Sequence, residues 1–227
     1  DQLPDRRASL LVPVGSTEQH GPHLPLETDT RIATEVSRAV AGRLAGDPSR
    51  DWLLAPAIAY GASGEHQGFA GTVSIGTEAL VLLLVEYGRS ALQWADRLVF
   101  VNGHGGNVDA LRTAVARLRF EGRDVGWCPC AVAGGDAHAG HTETSLMLHL
   151  SESDVVPDRW QRGNSAPLPQ LMGTIRRAGI GAVSEVGVLG DPTTATADEG
   201  AEIFAEMVHG CVRRITGWAP AADGMLV

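Results

Sequence analysis

The chain has no lysine: all 18 of its basic side chains are arginine. A phosphate-binding loop that relies on a Gly-Lys-Ser/Thr end cannot be built from it, so nucleotide chemistry of that type is excluded. Positive charge is scarce altogether. Against 27 acidic residues the formal net charge is −9 and the pI is near 5.3, so electrostatics attract neither nucleic acid nor an anionic membrane surface. Long apolar runs are missing too. Stretches such as Ala79 to Val85 fall far short of the ~20 residues that span a bilayer, and the polar, charged start has no signal-peptide apolar region. A cytoplasmic protein with no membrane and no nucleic-acid partner is expected.

Cysteine is sparse and odd in number. Cys128, Cys130 and Cys211 make no disulfide framework in a chain of this size, and Cys-Pro-Cys is one residue short of the redox spacing, so Cys128 and Cys130 read as strand residues. Several catalytic signatures are also absent. There is no G-x-S-x-G serine elbow, no G-x-G-x-x-G dinucleotide fingerprint and no H-E-x-x-H zinc helix.

What is present is an ordinary globular composition, 44% apolar over 227 residues, enough for one sizeable core and a single domain spanning 1–227. Apolar periodicity alternates between strand and helix. Ser9–Val14 reads as a buried strand, and a helix runs from Asp29 to a stop at Gly46, Asp47 and Pro48. Trp52–Ala59 is the next strand, followed by a glycine-rich stretch to Thr77 and a helix over Glu78–Trp94. Arg97–Val101 is a strand, Val108–Phe120 a helix, Asp124–Val132 a strand and His141–Leu150 a helix. Between Ser151 and Gly181 only Leu168–Ala178 has a helical pattern. Ala182–Leu189 reads as a last strand, Thr196–Trp218 as a long helix whose Thr196 and Glu199 stand at capping-box spacing, and the residues after Pro220 as a short loose tail. This rhythm predicts an α/β fold with a mostly parallel sheet covered on both faces, whose ligands collect at the strands' carboxyl ends.

The polar clusters fall at those ends. In "VPVGSTEQHGPHLPLETDT", Glu18 and His20 are two apart, so an extended backbone points both to one side and Gln19 away. Asp29, just before the helix, suits either a cap or a cation. "VNGHGGN" offers His104 between glycines, and "GDAHAGHTETS" offers Asp136, His138, His141 and Glu143. Asp136 and His141 have ordinary capping explanations and stay outside the ligand set, as does His23; "GDPTTAT", with Asp191, either caps the last helix or lines an entrance. Nitrogen and oxygen ligands mixed in this way suit Zn, Mn or Fe at a hydrolytic site.

In order along the chain, "GSTEQHGPHLPLETD", "SGEHQGFAGTVSIG", "NGHGGN" and "HAGHTETS" resemble the creatininase family of metal amidohydrolases. The resemblance implies a three-layer αβα sandwich, homo-oligomers that are often hexamers of dimer pairs, and two divalent ions per subunit at the strand ends. Matched residue by residue, it implies Glu18, His20, Asp29 and His104 as metal ligands, with Asp29 bridging. The sequence departs from the creatinine hydrolases after His104, where Gly105 and Gly106 replace an aromatic residue and a glutamate. Glu143 is therefore expected to supply the missing carboxylate as a metal ligand and catalytic group, with His138 as the proton-transfer residue. Glu65 and His66 are expected to shape the substrate pocket rather than bind metal. Without the aromatic wall, creatinine itself is disfavoured as substrate. "EHQGFAGTVSIGTEAL", "RLVFVNGHGGNVDAL", "GWCPC" and "GVLGDPTTATADEGAEIF" are most similar to the family's branch that hydrolyses a modified precursor peptide near its C-terminus. That cut frees a crosslinked Val-Tyr-derived unit for redox-cofactor biosynthesis. The alternatives are an amidohydrolase or deformylase for a small cyclic or formylated amide, and a metal-stabilised scaffold without catalysis.

Overall fold

The computed structural model describes residues 8–47 and 49–227. The charged first seven residues and Pro48, part of the expected helix stop, lie outside the described residues.

Four parallel strands, β1 (Ala8–Val14), β2 (Asp51–Leu54), β3 (Arg97–Asn102) and β4 (Val125–Pro129), form one sheet in the order β2-β1-β3-β4. Parallel neighbours need crossovers, and helices supply them: α1 (Thr28–Leu44), α2 (Gly76–Ala91) and α3 (Val108–Phe120), followed by α4 (His141–Ser151), α5 (Leu168–Ala178) and α6 (Ala197–Gly217). Every residue of β1 is buried, as expected of a strand covered on both faces. Leu11, Val99, Val101 and Cys128 face a core shared with Ile32 and Val36 of α1, Leu146 of α4 and Met207 of α6. The alternate residues Leu10, Val12, Phe100 and Trp127 face Leu80 and Leu84 of α2 and Leu111 and Val115 of α3. The α/β reading thus holds as helix, sheet and helix layers. No helix among the described residues is long and apolar enough to cross a membrane.

Several expectations are corrected. The second strand stops at Leu54 rather than Ala59, because Pro56 has no N–H for the ladder; Ile58 keeps one isolated bridge to Val14. The α2 helix ends at Ala91 instead of Trp94. The fourth strand ends at Pro129, so Cys128 is a strand residue while Cys130 lies beyond the strand and lines a cleft. Ala182–Leu189 is no strand. It begins within a 3₁₀ turn, turns at Gly187 with φ of +77°, and is held by a bridge between Leu189 and His138 and by a hydrogen bond from Asn164 N–H to the Val188 carbonyl. Nor is the tail loose: Trp127 N–H donates to the Gly224 carbonyl at 3.1 Å, Leu226 N–H donates to the Trp127 carbonyl at 2.9 Å, and Leu226 is fully buried.

The last helix starts where its capping box predicts. Thr196 Oγ1 accepts from Glu199 N–H at 3.2 Å and its hydroxyl donates to Glu199 Oε2 at 2.7 Å. Thr196→Ala is expected to cost about 1 kcal/mol, read as a lower denaturation midpoint with an unchanged denaturant slope.

Candidate active site

Three loops that follow β1, β2 and β3, and the approach to α4, converge on one buried cluster. The chain leaves β1 at Gly15, where an added Cβ would lie 2.4 Å from Thr30 Cα. This close crossing lets the loop return to α1. Glu18, His20 and Asp29 are all almost fully buried there, and Asp29 is the second residue of α1. Gly103 lets the end of β3 pass the same turn, since a Cβ would meet the Asp29 carbonyl oxygen at 2.5 Å. His104 follows it into the cluster.

Asp29 stands between two imidazoles. Its Oδ1 is 3.2 Å from His20 Nε2 and its Oδ2 is 3.1 Å from His104 Nδ1, while the Ser16 hydroxyl donates to Oδ2 at 2.7 Å. Glu18 stands between two more contacts: Oε2 is 3.1 Å from His104 Nε2 and Oε1 is 3.2 Å from His66 Nε2. His138 Nδ1 is 3.7 Å from the same Oε1. Glu143 reaches in from the first turn of α4, with Oε2 3.8 Å from His20 Nε2, and accepts the Ala139 N–H at 2.6 Å.

Burial and crowding set the charges. Burial raises the Glu18 and Glu143 carboxyls to about 7. His20 and His104 are driven down by burial, but their carboxylate neighbours, Asp29 beside His20 and Glu18 and Asp29 beside His104, outweigh it and hold both at about 10. Burial tends to raise Asp29, yet His20 and His104 keep it well below the ordinary carboxylate range. His66 is pushed down to about 3 by burial and by the His104 and His20 charges. His138 lies well below its usual value for the same kind of reason. Neutral imidazoles with available lone pairs therefore stand beside paired, charged groups.

Two atoms that share a zinc ion at about 2.0–2.2 Å lie roughly 3 to 3.5 Å apart. The cluster's nitrogen-to-oxygen separations of 3.1 and 3.2 Å match that spacing. Among the described residues, three overlapping groups could each hold a metal ion: Glu18, His20 and Asp29; Glu18, His66 and His138; and His20, His138 and Glu143. The cluster opens into a cleft of about 920 Å³, lined farther out by Met172, Ile175 and Arg176.

Glu18, His20, Asp29, His66, His104, His138 and Glu143 meet at this site, whereas His141 and Asp191 line a second cavity, and the roles are not those alternation suggests. Gln19 does not point away. Residues 15–19 are loop rather than strand, so the period-2 rule lapses, and the Gln19 amide lies 2.8 Å from His66 Nδ1. His66 lies in the cluster itself, within one of the metal-capable groups, whereas Glu65 reaches only its edge, 3.7 Å from His104 Nε2. The Glu65-His66 pair following a strand is the sequence signal for this; no spacing rule singles out Gln19. Gly106 leaves no room for a ligand of its own, since a Cβ would sit 2.3 Å from the Ala62 carbonyl oxygen. His23 contacts Thr144 at 2.8 Å and Glu27 pairs with Arg31. Asp136 accepts from the N–H groups of His141 and Thr142, and Asp191 from that of Thr193. Those four side chains tie the frame together.

A buried histidine–carboxylate cluster at the carboxyl ends of a parallel sheet, beneath an open cleft, is an arrangement suited to a metal-dependent hydrolase. The family model for creatininase, creatinine amidohydrolase, matches residues 1–215. A mycofactocin precursor peptide peptidase of Mycobacterium tuberculosis (strain CDC 1551 / Oshkosh) is 67% identical, over 99% of this chain and 91% of its own length. A solved creatininase carrying a tryptophan-to-phenylalanine mutation has a TM-score of 0.77 at 26% identity, covering 94% of this chain and 92% of that one. A second solved mutant creatininase, of Zn-Zn type, has a TM-score of 0.75 at 26% identity with the same coverage. The chain belongs to the creatininase family of metal-dependent amidohydrolases.

Proposed function

We propose that this chain is a metal-dependent peptidase that hydrolyses the modified mycofactocin precursor peptide near its C-terminus and releases the crosslinked Val-Tyr-derived unit. The observation that carries the reading is Glu18. Both its oxygens are buried without an aligned hydrogen bond, although His66 and His104 approach within 3.2 and 3.1 Å. A buried carboxylate left in that state is costly unless a cation completes it. The residues present therefore fit a divalent metal. Glu18, His20, Asp29, His104 and Glu143 would hold two such ions, with Asp29 across both. When bound, the ions supply Lewis acidity for the scissile carbonyl and a more acidic water.

The side chains then have separate tasks. The His138 Nδ1 lone pair takes the proton of the attacking water and delivers it to the leaving nitrogen. Gly105 and Gly106 line the cleft without side chains, so a small-ring substrate would lack a wall there, which supports a peptide end as the occupant. The 67% identity to a protein with that peptidase name supports the substrate, and the Zn-Zn type creatininase supports zinc among the candidates Zn, Fe and Mn. The same reading makes the protein a cytoplasmic, single-domain homo-oligomer, with a hexamer as the family arrangement.

The test is mass spectrometry of the modified peptide after incubation with metal-loaded protein. Appearance of the C-terminal unit and the truncated peptide, together heavier than the substrate by one water, is the expected result. An uncut peptide beside a hydrolysed cyclic or formylated amide would move the function to a small-amide hydrolase. Metal loading has its own signature. His20 and His104 must give up protons to become ligands, so binding near neutral pH is expected to release protons and to weaken as pH falls. Calorimetric titration of metal-free protein in two buffers of different ionisation enthalpy reads this directly, and identical apparent enthalpies would count against it.

A further inference from the structure

Two backbone groups decide how the buried Gln19 amide is oriented. Gly21 N–H can only donate, and it donates to Gln19 Oε1 at 2.9 Å. The Gly187 carbonyl can only accept, and it takes one hydrogen from Gln19 Nε2 at 3.1 Å. The amide nitrogen has one hydrogen left, and two imidazole nitrogens lie within its reach: His66 Nδ1 at 2.8 Å and His138 Nε2 at 3.2 Å.

The main chain of Gln19 makes the choice. His138 Nε2 is 2.8 Å from the Gln19 carbonyl oxygen. A bare nitrogen there would oppose one lone pair to another, so Nε2 carries a hydrogen and donates it to the carbonyl. The remaining Gln19 hydrogen then goes to His66 Nδ1, which must be bare, and the hydrogen of neutral His66 sits on Nε2. Both rings share one tautomer, but they turn opposite atoms toward Glu18. His66 presents Nε2–H, 3.2 Å from Oε1, and His138 presents a bare Nδ1, 3.7 Å from the same oxygen. The Glu18 oxygen lies off the line of any donor, so the His66 hydrogen is not consumed by it. Both rings border the cleft.

We propose that Gln19 is a positioning residue that makes His66 a fixed hydrogen donor and His138 a lone-pair acceptor toward a substrate amide. The inference rests on the amide-hydrolase reading above and deepens it. In R–CO–NH–R′ + H₂O → R–COOH + H₂N–R′, the C–N bond breaks as water oxygen bonds to carbon. His138 carries the water proton to the leaving nitrogen, and the His66 N–H stabilises the carbonyl oxygen as negative charge gathers on it. His66 keeps its hydrogen throughout because Nδ1 stays engaged with Gln19.

The experiment uses the full chain loaded with zinc and labelled with nitrogen-15 in histidine. Long-range proton–nitrogen spectra report the tautomer of each ring, with His66→Asn and His138→Asn identifying the two signals. His66 is expected to show a protonated Nε2 and a bare Nδ1. In Gln19→Leu its signal should move toward the other tautomer while zinc content stays at the parent's level. The turnover number kcat for the modified peptide should fall about 10- to 100-fold, the range for outer partners of site histidines, with little change in KM. A protonated Nδ1 at His66 in the parent overturns the proposal, as does a Gln19→Leu variant with unchanged His66 signal and unchanged kcat. Should Gln19→Leu fail to fold, the parent spectrum decides alone. An expected parent spectrum with an uncut peptide would leave the hydrogen placement standing and overturn only the choice of substrate.

Discussion

Asp29→Asn is expected to remove more activity than any other single substitution at the site. Asp29 sets its two oxygens against the two imidazoles proposed as metal ligands, Oδ1 toward His20 and Oδ2 toward His104. On the proposed two-ion reading a carboxylate there would serve both ions, whereas an amide offers one oxygen and one NH₂ group that cannot ligate. The loss should exceed the roughly 100-fold that outer partners of a metal ligand reach, and metal content should drop with it. Elemental analysis and turnover on the same preparation check both. Full turnover with two metals retained would remove Asp29 from the bridging role. The metal-free variant should also melt at a lower temperature than the metal-free parent. His20 loses the main negative partner that holds it charged and His104 loses one of two, and an unpaired buried charge is costly.

His138→Gln is expected to separate catalysis from metal binding. Turnover should fall about 10²- to 10⁴-fold, the usual contribution of a positioned acid–base group, while metal content and melting temperature stay close to the parent's. The ring's other nitrogen is tied to the Gln19 carbonyl, a contact a glutamine amide can replace, so the fold has little reason to suffer. Loss of metal in this variant would make His138 a ligand, as its place in two of the metal-capable groups allows. Retained turnover would remove His138 from the proton-transfer role.

Much of the architecture is legible in the sequence because it depends on short-range pattern. The βα rhythm, the capping box at Thr196 and the motif from Glu18 to Asp29 are local in sequence, and the chain folds them as their periods and turn residues require. Where pattern and structure part, pairing depends on distant residues. Ala182–Leu189 is apolar enough for a strand but joins no sheet edge, and it is held instead by the bridge from Leu189 to His138 and by scattered hydrogen bonds such as that from Asn164 N–H to the Val188 carbonyl. The segment after Pro220 lacks strand character, yet it hydrogen-bonds to Trp127 and buries Leu226. Gln19 escapes the period-2 rule because alternation applies to extended strands, and this segment is a loop bent by Gly15 and Gly21.

The sequence by itself determined the α/β class, the family resemblance and the list of side chains able to bind metal or move protons, since all of these are written in residue type and local spacing. It could not rank those side chains. Whether His66 shapes a pocket or faces Glu18, whether Glu143 reaches His20, and which groups lie against the His66 and His138 ring nitrogens depend on contacts across separations such as 47 residues for Gln19 to His66 and 119 for Gln19 to His138. Only the closed tertiary structure decided these. It brings four loops together at the strand ends and removes water, so each remaining polar atom must take its partner from the protein or from a bound ion.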